Sequence, residues 1–282
     1  MTHSFKHTTS SRRLAIAGLA ASALVLTGCG SGDTSDSNTG SGESPAAGTS
    51  LGSVQDEGVI TVGTEGTYRP FTFHDGESGD LTGYDVEVAE AVGEELGVEV
   101  EFEETQWDAI FAGLDAGRFD VIANQVSITP EREADYAFSK PYTVSPGVII
   151  VNDGDTSISS FGDLAGKTTA QSLTSNWYEL AKDSGADIEN VEGWAQAVAL
   201  LKQGRIDATV NDELTFLDYE NTEGDTSLDI AVTTEDEAHN AFAFRKGSDD
   251  LVAAVDDALD TLRKDGTLSE ISEKYFGEDV SR

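Results

Sequence analysis

The stretch "ANQVSITPERE", Ala123 to Glu133, places an arginine just after a Thr-Pro corner, where an apolar strand pattern gives way to a helix start. A planar guanidinium there offers a two-pronged fork to a carboxylate, which a lysine does not. The competing use of Arg132 is an ion pair with Glu131, Glu133 or Asp135. A second polar point is Asp212, at the end of "IDATVND", where an Asp also caps the helix expected at "ELTFLDY". A third is "SLTSN", which puts Thr174, Ser175 and Asn176 at the start of the helix "SNWYELAKDSG", where free amides and the helix dipole attract an anion; plain N-capping is the alternative. Catalytic groups are scarce. His74 and His239 are the histidines after residue 28, Cys29 is the single cysteine, and neither a Ser-His-Asp order nor a His-rich metal spacing occurs. The chain is therefore expected to be no enzyme and to take no cofactor and no metal.

The elements that position these residues follow from periodicity. "VITVGT" is a β-branched strand, and "YDVEVAEAVGEELG" carries Val86, Ala89, Val92 and Leu96 at helical spacing before Gly97. Strand and helix then alternate through "VEVEFEET", "WDAIFAGLDAGR", "FDVIANQ", "TPEREADY" and "PGVIIVN". A second series begins near residue 158: a helical turn at "SFGDLAGK", a strand "TTAQS", a helix "SNWYELAKDSG", a strand "IENVEG", a helix "WAQAVALLKQGR" and a strand "IDATVND". "NAFAFRKG" is a further strand, and "SDDLVAAVDDALDTLRKDGT" and "LSEISEKYFG" are closing helices. This alternation predicts an α/β fold of two lobes, each a mostly parallel sheet flanked by helices. "WDAIFAGLDAGRFDVIANQ" and "WAQAVALLKQGRIDATVND" form a pseudo-repeat, a Trp-led helix and Gly-Arg turn leading into a strand with a polar end. Ligands of open α/β sheets sit beyond strand C-termini, so Gln125 and Asp212 mark the two ends, and repeats facing across a cleft would bring Arg132 and Asp212 together.

Composition narrows the partners. The 282 residues carry 53 acidic and 17 basic side chains, a formal charge of -36, which repels phosphate backbones and anionic headgroups and excludes nucleic acid as a partner. Most of this charge is expected to be a solvated surface, and a saline habitat would suit it. Residues 1–28 read as an export leader: Lys6, Arg12 and Arg13 precede an apolar run of about fifteen residues, shorter than the roughly 20 that span a bilayer. Residues 29–53 contain "GSGDTSDSNTGSGESPAAGTS", the composition of a flexible tether. "LTGC", Leu26 to Cys29, resembles the lipobox of bacterial lipoproteins, which implies cleavage before Cys29, a lipid such as palmitate on the new N-terminus, and a body anchored to the outer face of a cell membrane.

From about Gly58 to Gly277 the chain resembles the family 3 extracellular solute-binding proteins that serve polar amino-acid ABC importers. The resemblance rests on "GTEGTYRPFTF", "LTGYDVEVAEAV", "DVIANQVSITPEREADYAFSKPY", "GRIDATVND" and "FAFRKGSDDLVAAVDDALDTLRKDGTLSEISEKYFG", in that order. It implies a periplasmic-binding-protein fold with the ligand between lobes. It implies that Arg132 grips the ligand α-carboxylate, helped by backbone amides near Ser127 and Thr129, and that Asp212 takes the α-ammonium. Tyr68 is expected to cover the aliphatic part, with Phe71 or Phe73 behind it and Trp107 on the opposite face. Glu65 is expected to meet a cationic group, with Gln125, Thr174, Ser175 and Asn176 completing the site. "GKTTAQSLTSNWYELA", "NVEGWAQAVALLKQGRIDATVND" and "KYFGEDVS" look most like the cystine-binding subgroup. Glutamine, histidine and arginine stay open as ligands, as do two other functions: an exported dehydratase-like enzyme with Glu65 as acid, and a ligand-sensing module. The expected first lobe comprises residues 54–145 with 243–282, the second 146–242, in a monomer that hands its ligand to a membrane permease.

Overall fold

The computed structural model describes residues 47–281. Cys29, the leader and the tether up to Ala46 lie outside the described residues. The expected tether boundary at residue 53 shifts, because the body is already engaged at Ala47. Arg245, buried, donates to the carbonyls of Ala47 (3.0 Å), Leu114 (2.6 Å) and Phe119 (2.8 Å). A helix α1, Leu51–Glu57, follows; Ser50 caps it by accepting from Ser53 N, and Gly58 ends it in the left-handed region.

The first lobe is built on β1 (Val59–Thr64), whose parallel neighbours are β5 (Glu99–Glu104) and β6 (Val121–Ser127). Between β1 and β5 lie a small antiparallel sheet, β2 (Thr67–Tyr68), β3 (Thr72–His74) and β4 (Leu81–Thr82), and α2 (Tyr84–Leu96). The sequence did not indicate that small sheet, since its strands are too short to show a period. Helix α3 (Trp107–Asp115) leads into β6, and α4 (Pro130–Asp135) and β7 (Tyr136–Phe138) follow it. The apolar stripe of α2 (Val88, Ala89, Val92) packs with Val62 and with Leu251, Val255, Leu259 and Leu262 of α8 (Asp249–Asp265) and Leu268 of α9 (Thr267–Phe276). Ile110, Leu114 and Phe119 fill the other face of the sheet with Ile122 and Val126.

The second lobe repeats this plan. β9 (Thr168–Gln171) and β10 (Asp187–Asn190) are parallel, and a parallel bridge from Thr169 to Ala208 ties them to the run into β11 (Thr209–Asp212). Helix α6 (Trp194–Lys202) and α7 (Glu213–Glu223) bury Val198, Leu201 and Phe216 on one face, while α5 (Asn176–Asp183) and the 3-10 turn Phe161–Leu164 bury Ala181 and Leu164 on the other.

Two long strands join the lobes: β8 (Thr143–Asn152) and β12 (Leu228–Arg245), at the crossings the sequence indicated. β12 pairs with β8 from Leu228 to Asn240 and with β6 from Asn240 onward, so it changes lobe partner at Asn240. In the large sheet, order β11-β8-β12-β6-β1-β5, the antiparallel pairs are those made by β8 and β12, while β1, β5 and β6 run parallel. Among the described residues no helix is long and apolar enough to cross a membrane, and no cluster of His, Cys, Asp and Glu could hold a metal ion.

Candidate functional site

A cavity of about 320 Å³ opens where the strand ends of both lobes converge. From the first lobe it is lined by Glu65, Thr67 and Tyr68 after β1, Gln106 and Trp107 at the start of α3, and Asn124 and Gln125 in β6. From the second come Gln171 and Ser172 after β9, Ser175, Asn176 and Trp177 opening α5, the segment from Val191 to Ala197 leading into α6, and Thr209 to Asn211 of β11. All three of the chain's tryptophans, Trp107, Trp177 and Trp194, line it. Its charged walls are two acids, Glu65 and Glu192, with no basic side chain, so the cavity favours a ligand with cationic groups.

Glu65 is held in place. Its carboxylate accepts from Asn124 Nδ2 at 2.7 Å and from the backbone N–H of Trp107, at the N-terminus of α3. Burial nonetheless pushes its pKa up to about 7, the direction desolvation dictates for an acid without a cation. Tyr68 donates its phenol to Asn211 Oδ1 at 2.9 Å and accepts from Thr215 Oγ1 at 3.1 Å, bridging the lobes. Behind it stands Phe71, 5.1 Å away ring to ring; Phe73 instead lies under the Arg69 guanidinium at 3.9 Å. Trp107 is buried, and its Nε1 has no hydrogen-bond partner.

Gln125 lies in the left-handed region, at φ 50°. Asp85 fixes it there, accepting from Gln125 N at 2.7 Å and from Nε2 at 2.6 Å. The same amide donates to Thr143 Oγ1 at 3.1 Å and accepts from Asn240 Nδ2 at 2.8 Å. With its polar side-chain atoms taken by the protein, Gln125 offers the cavity its methylenes, and its hydrogen bonds join the first lobe to both crossing strands. Ser127 belongs to the same network, its Oγ donating to Asn240 Oδ1 at 2.7 Å.

Five predicted residues, Ser127, Thr129, Arg132, Thr174 and Asp212, are not among the cavity's lining, whereas Glu65, Tyr68, Trp107, Gln125, Ser175 and Asn176 are. Arg132 stands at the margin, its guanidinium carbon 5.4 Å from the rings of both Trp107 and Phe111. Nη1 donates to Ser127 O at 2.8 Å, and Nη2 crosses to Thr174 O at 3.1 Å in the second lobe. It forms no ion pair with Glu131, Glu133 or Asp135, and burial draws its pKa down to about 10. Thr129 caps α4, its Oγ1 accepting from Arg132 N at 3.2 Å. Thr174 is bound across the lobes by Asp108, which accepts from its hydroxyl at 3.0 Å. Ser175 caps α5 by accepting from Tyr178 N at 3.0 Å, and Asn176 is the first residue of that helix.

Asp212 does not meet Arg132 side chain to side chain. Its Oδ2 accepts from Ser145 Oγ at 2.5 Å, and its Oδ1 caps α7 by accepting from Leu214 N at 2.9 Å. It is 2% exposed with no cation beside it, and burial lifts its pKa to about 6. Asp85, Gln171 and Glu192 escaped the sequence reading, as did Trp177 and Trp194, although the segments holding these two tryptophans were recognised as helices. The repeat held the missing signal. Both strand ends, "ANQ" and "VND", contribute an Asn to the cavity one residue before the position singled out.

The sequence matches the bacterial extracellular solute-binding proteins, family 3, over residues 60–278. It is 48% identical over 261 residues to the L-cystine-binding protein TcyA of Bacillus subtilis, covering 93% of this chain and 96% of that protein. Among solved structures, the L-cystine solute receptor of Neisseria gonorrhoeae in its unliganded open conformation is 47% identical, covers 83% of this chain and 100% of its own, and superposes with a TM-score of 0.58. An ancestral arginine-binding protein bound to arginine is 37% identical over 78% of this chain and 99% of its own, with a TM-score of 0.73. The two-lobed α/β fold, the interlobe cavity and this match over most of the chain place the protein among the bacterial extracellular solute-binding proteins of family 3.

Proposed function

We propose that the protein captures an amino acid between its lobes, that the ligand is cystine, and that it delivers this ligand to an ABC importer from a lipid-anchored position outside the cell. The observation that carries the reading is a pair of uncompensated charges at the cavity's margins on opposite lobes. Arg132 is half-buried and Asp212 buried, and among the described residues the first has no acid paired to it and the second no cation beside it. Unpaired buried charges are costly, and a zwitterion offers a carboxylate to one and an ammonium to the other. Arg132 donates to two carbonyls, those of Ser127 and Thr174, leaving N–H groups of its fork for a ligand carboxylate. The ammonium reaches Asp212 once Ser145 shares its carboxylate.

Cystine is favoured over glutamine, histidine and arginine by the cystine-binding relative at 48% identity, and the two acids of the cavity wall suit a ligand with two cationic groups, which glutamine lacks. The lipid anchor rests on "LTGC" ahead of Cys29 and on the leader before it; Cys29→Ser is expected to abolish palmitate labelling. The dehydratase-like alternative would use Glu65 as acid, and turnover of prephenate or arogenate would establish it.

Calorimetric titration of the purified protein with cystine, glutamine, histidine and arginine tests the reading. One site per monomer is expected, with cystine tightest. Arg132→Ala is expected to weaken cystine by about 100-fold or more, because a ligand carboxylate would be left buried without its charged donor. Unchanged affinity in that variant would remove Arg132 from the site. Tighter binding of another amino acid would remove only cystine.

A further inference from the structure

Two polar residues that line the cavity, Gln171 and Glu192, have no part in the Arg132 and Asp212 reading. β9 and β10 run parallel with Gln171 in register with Asn190, and Val191 N–H donates to Gln171 O at 3.2 Å. Gln171, the last residue of β9, and Glu192, two residues beyond β10, therefore sit side by side at strand C-termini, and both line the cavity. Gln171 is 4% exposed. Its Oε1 accepts from Thr169 Oγ1 at 2.9 Å, and its Nε2 has no hydrogen-bond partner. A buried amide donor left unmatched costs on the order of 1–3 kcal/mol, so an acceptor supplied by a ligand would satisfy it. At Glu192 the backbone N–H donates to Gln196 Oε1 at 3.0 Å, which pins the turn, while the carboxylate forms no hydrogen bond or ion pair among the described residues. A donor without an acceptor and an acid without a cation thus share one edge, with Trp177 and Trp194 supplying apolar wall beside them.

We propose that Gln171 and Glu192 form a second head-group subsite, the Gln171 amide binding a carboxylate and Glu192 an ammonium at the far end of the ligand. This rests on the amino-acid reading above and makes the site selective for molecules with two amino-acid heads. One head occupies the Arg132 and Asp212 end, the other the Gln171 and Glu192 edge. An amino acid with a single head leaves the second edge unmatched.

Truncated ligands test this. Three probes are titrated into the full chain by calorimetry: L-cystine, the mixed disulfide of cysteine with cysteamine, which lacks the far carboxylate, and that of cysteine with 3-mercaptopropionate, which lacks the far ammonium. Wild type is expected to bind each truncated probe about tenfold or more weaker than cystine. Gln171→Ala is expected to weaken cystine by a similar factor and leave the cysteamine disulfide unchanged; Glu192→Gln is expected to weaken cystine and spare the mercaptopropionate disulfide. Equal losses on all probes would overturn the subsite, since they would signal a disturbed wall, and so would tighter cystine binding by Gln171→Glu. Glu192 is exposed, so its variant keeps the test decisive even where Gln171→Ala fails to fold. Absence of cystine binding in wild type would overturn the cystine reading as well, whereas cystine binding with uniform losses overturns this inference alone.

Discussion

Near the cavity Asp85 and Asp212 are buried and Glu65 half-buried, among the described residues with no base beside them, and each responds as desolvation dictates. Glu65 and Asp85 are raised to about 7 and Asp212 to about 6, with the nearby Asp212 charge adding to the rise at Asp85. An acid whose pKa is raised by folding holds its proton longer folded than unfolded. The contribution of these three acids to stability is therefore greatest at low pH and falls as pH climbs from about 4 to about 7, where the unfolded chain has ionised and the folded site resists. A ligand ammonium reverses the balance, because it favours the ionised acid. Binding is thus expected to release protons between about pH 5 and pH 7 and to weaken below about pH 6. Calorimetry in two buffers of different ionisation enthalpy reads the release directly; equal heats in both would show that none of these acids faces the ligand cation. The helix start that carries Arg132 was legible in the sequence, because a Thr-Pro corner after an apolar strand marks a helix N-terminus. Asp85 was not: in "GYDVEVAEAV" an Asp in the first helical turn is ordinary, and only the fold shows that it is 1% exposed and bound to Gln125.

Among the elements, helices and strands of four to seven residues were readable from their periods, whereas the two- and three-residue strands were not and the long crossing strands were only in part. β12 has a buried end from Asn240 to Arg245 but an exposed, acidic stretch through Glu235, Asp236 and Glu237. Such a run reads as a loop, although pairing with β8 resumes at Glu237 after a register shift. Strand ends show a related limit: that Gln171 and Glu192 are neighbours depends on β9 pairing with β10, which no local pattern states. β8 also sets the position of α5. Gly147 leaves room for the Trp177 ring, since a Cβ there would lie 2.3 Å from Trp177 Cζ3. Gly147→Ala is expected to push the indole toward the cavity it lines, costing about 1–3 kcal/mol of stability as overpacking does, and to weaken the ligand. Denaturant unfolding and titration of the variant check both; unaltered values would mean that Trp177 moves aside without cost and is no fixed wall.

At the scale of the whole molecule, the two lobes touch. Tyr68 reaches Asn211, Arg69 pairs with Asp218 at 3.3 Å, and Thr174 is bound by both Arg132 and Asp108. The sequence located the two crossings but carried no information on how far the lobes close around them, because closure is a relation between rigid halves. In this structure the halves meet around the cavity through these contacts. The contacts that hold them together without ligand are few, and an exposed pair such as Arg69 with Asp218 contributes only about 0–1 kcal/mol. A ligand shifts the balance by as much as it contacts both lobes at once. Small-angle scattering is therefore expected to give a larger radius of gyration for the free protein than this structure has, and to return to the calculated profile of this structure when cystine is added. A free protein that already matches this profile and does not change on titration would mean that the lobes shut without a ligand, and closure could then no longer serve as the signal by which a permease distinguishes loaded from empty receptor.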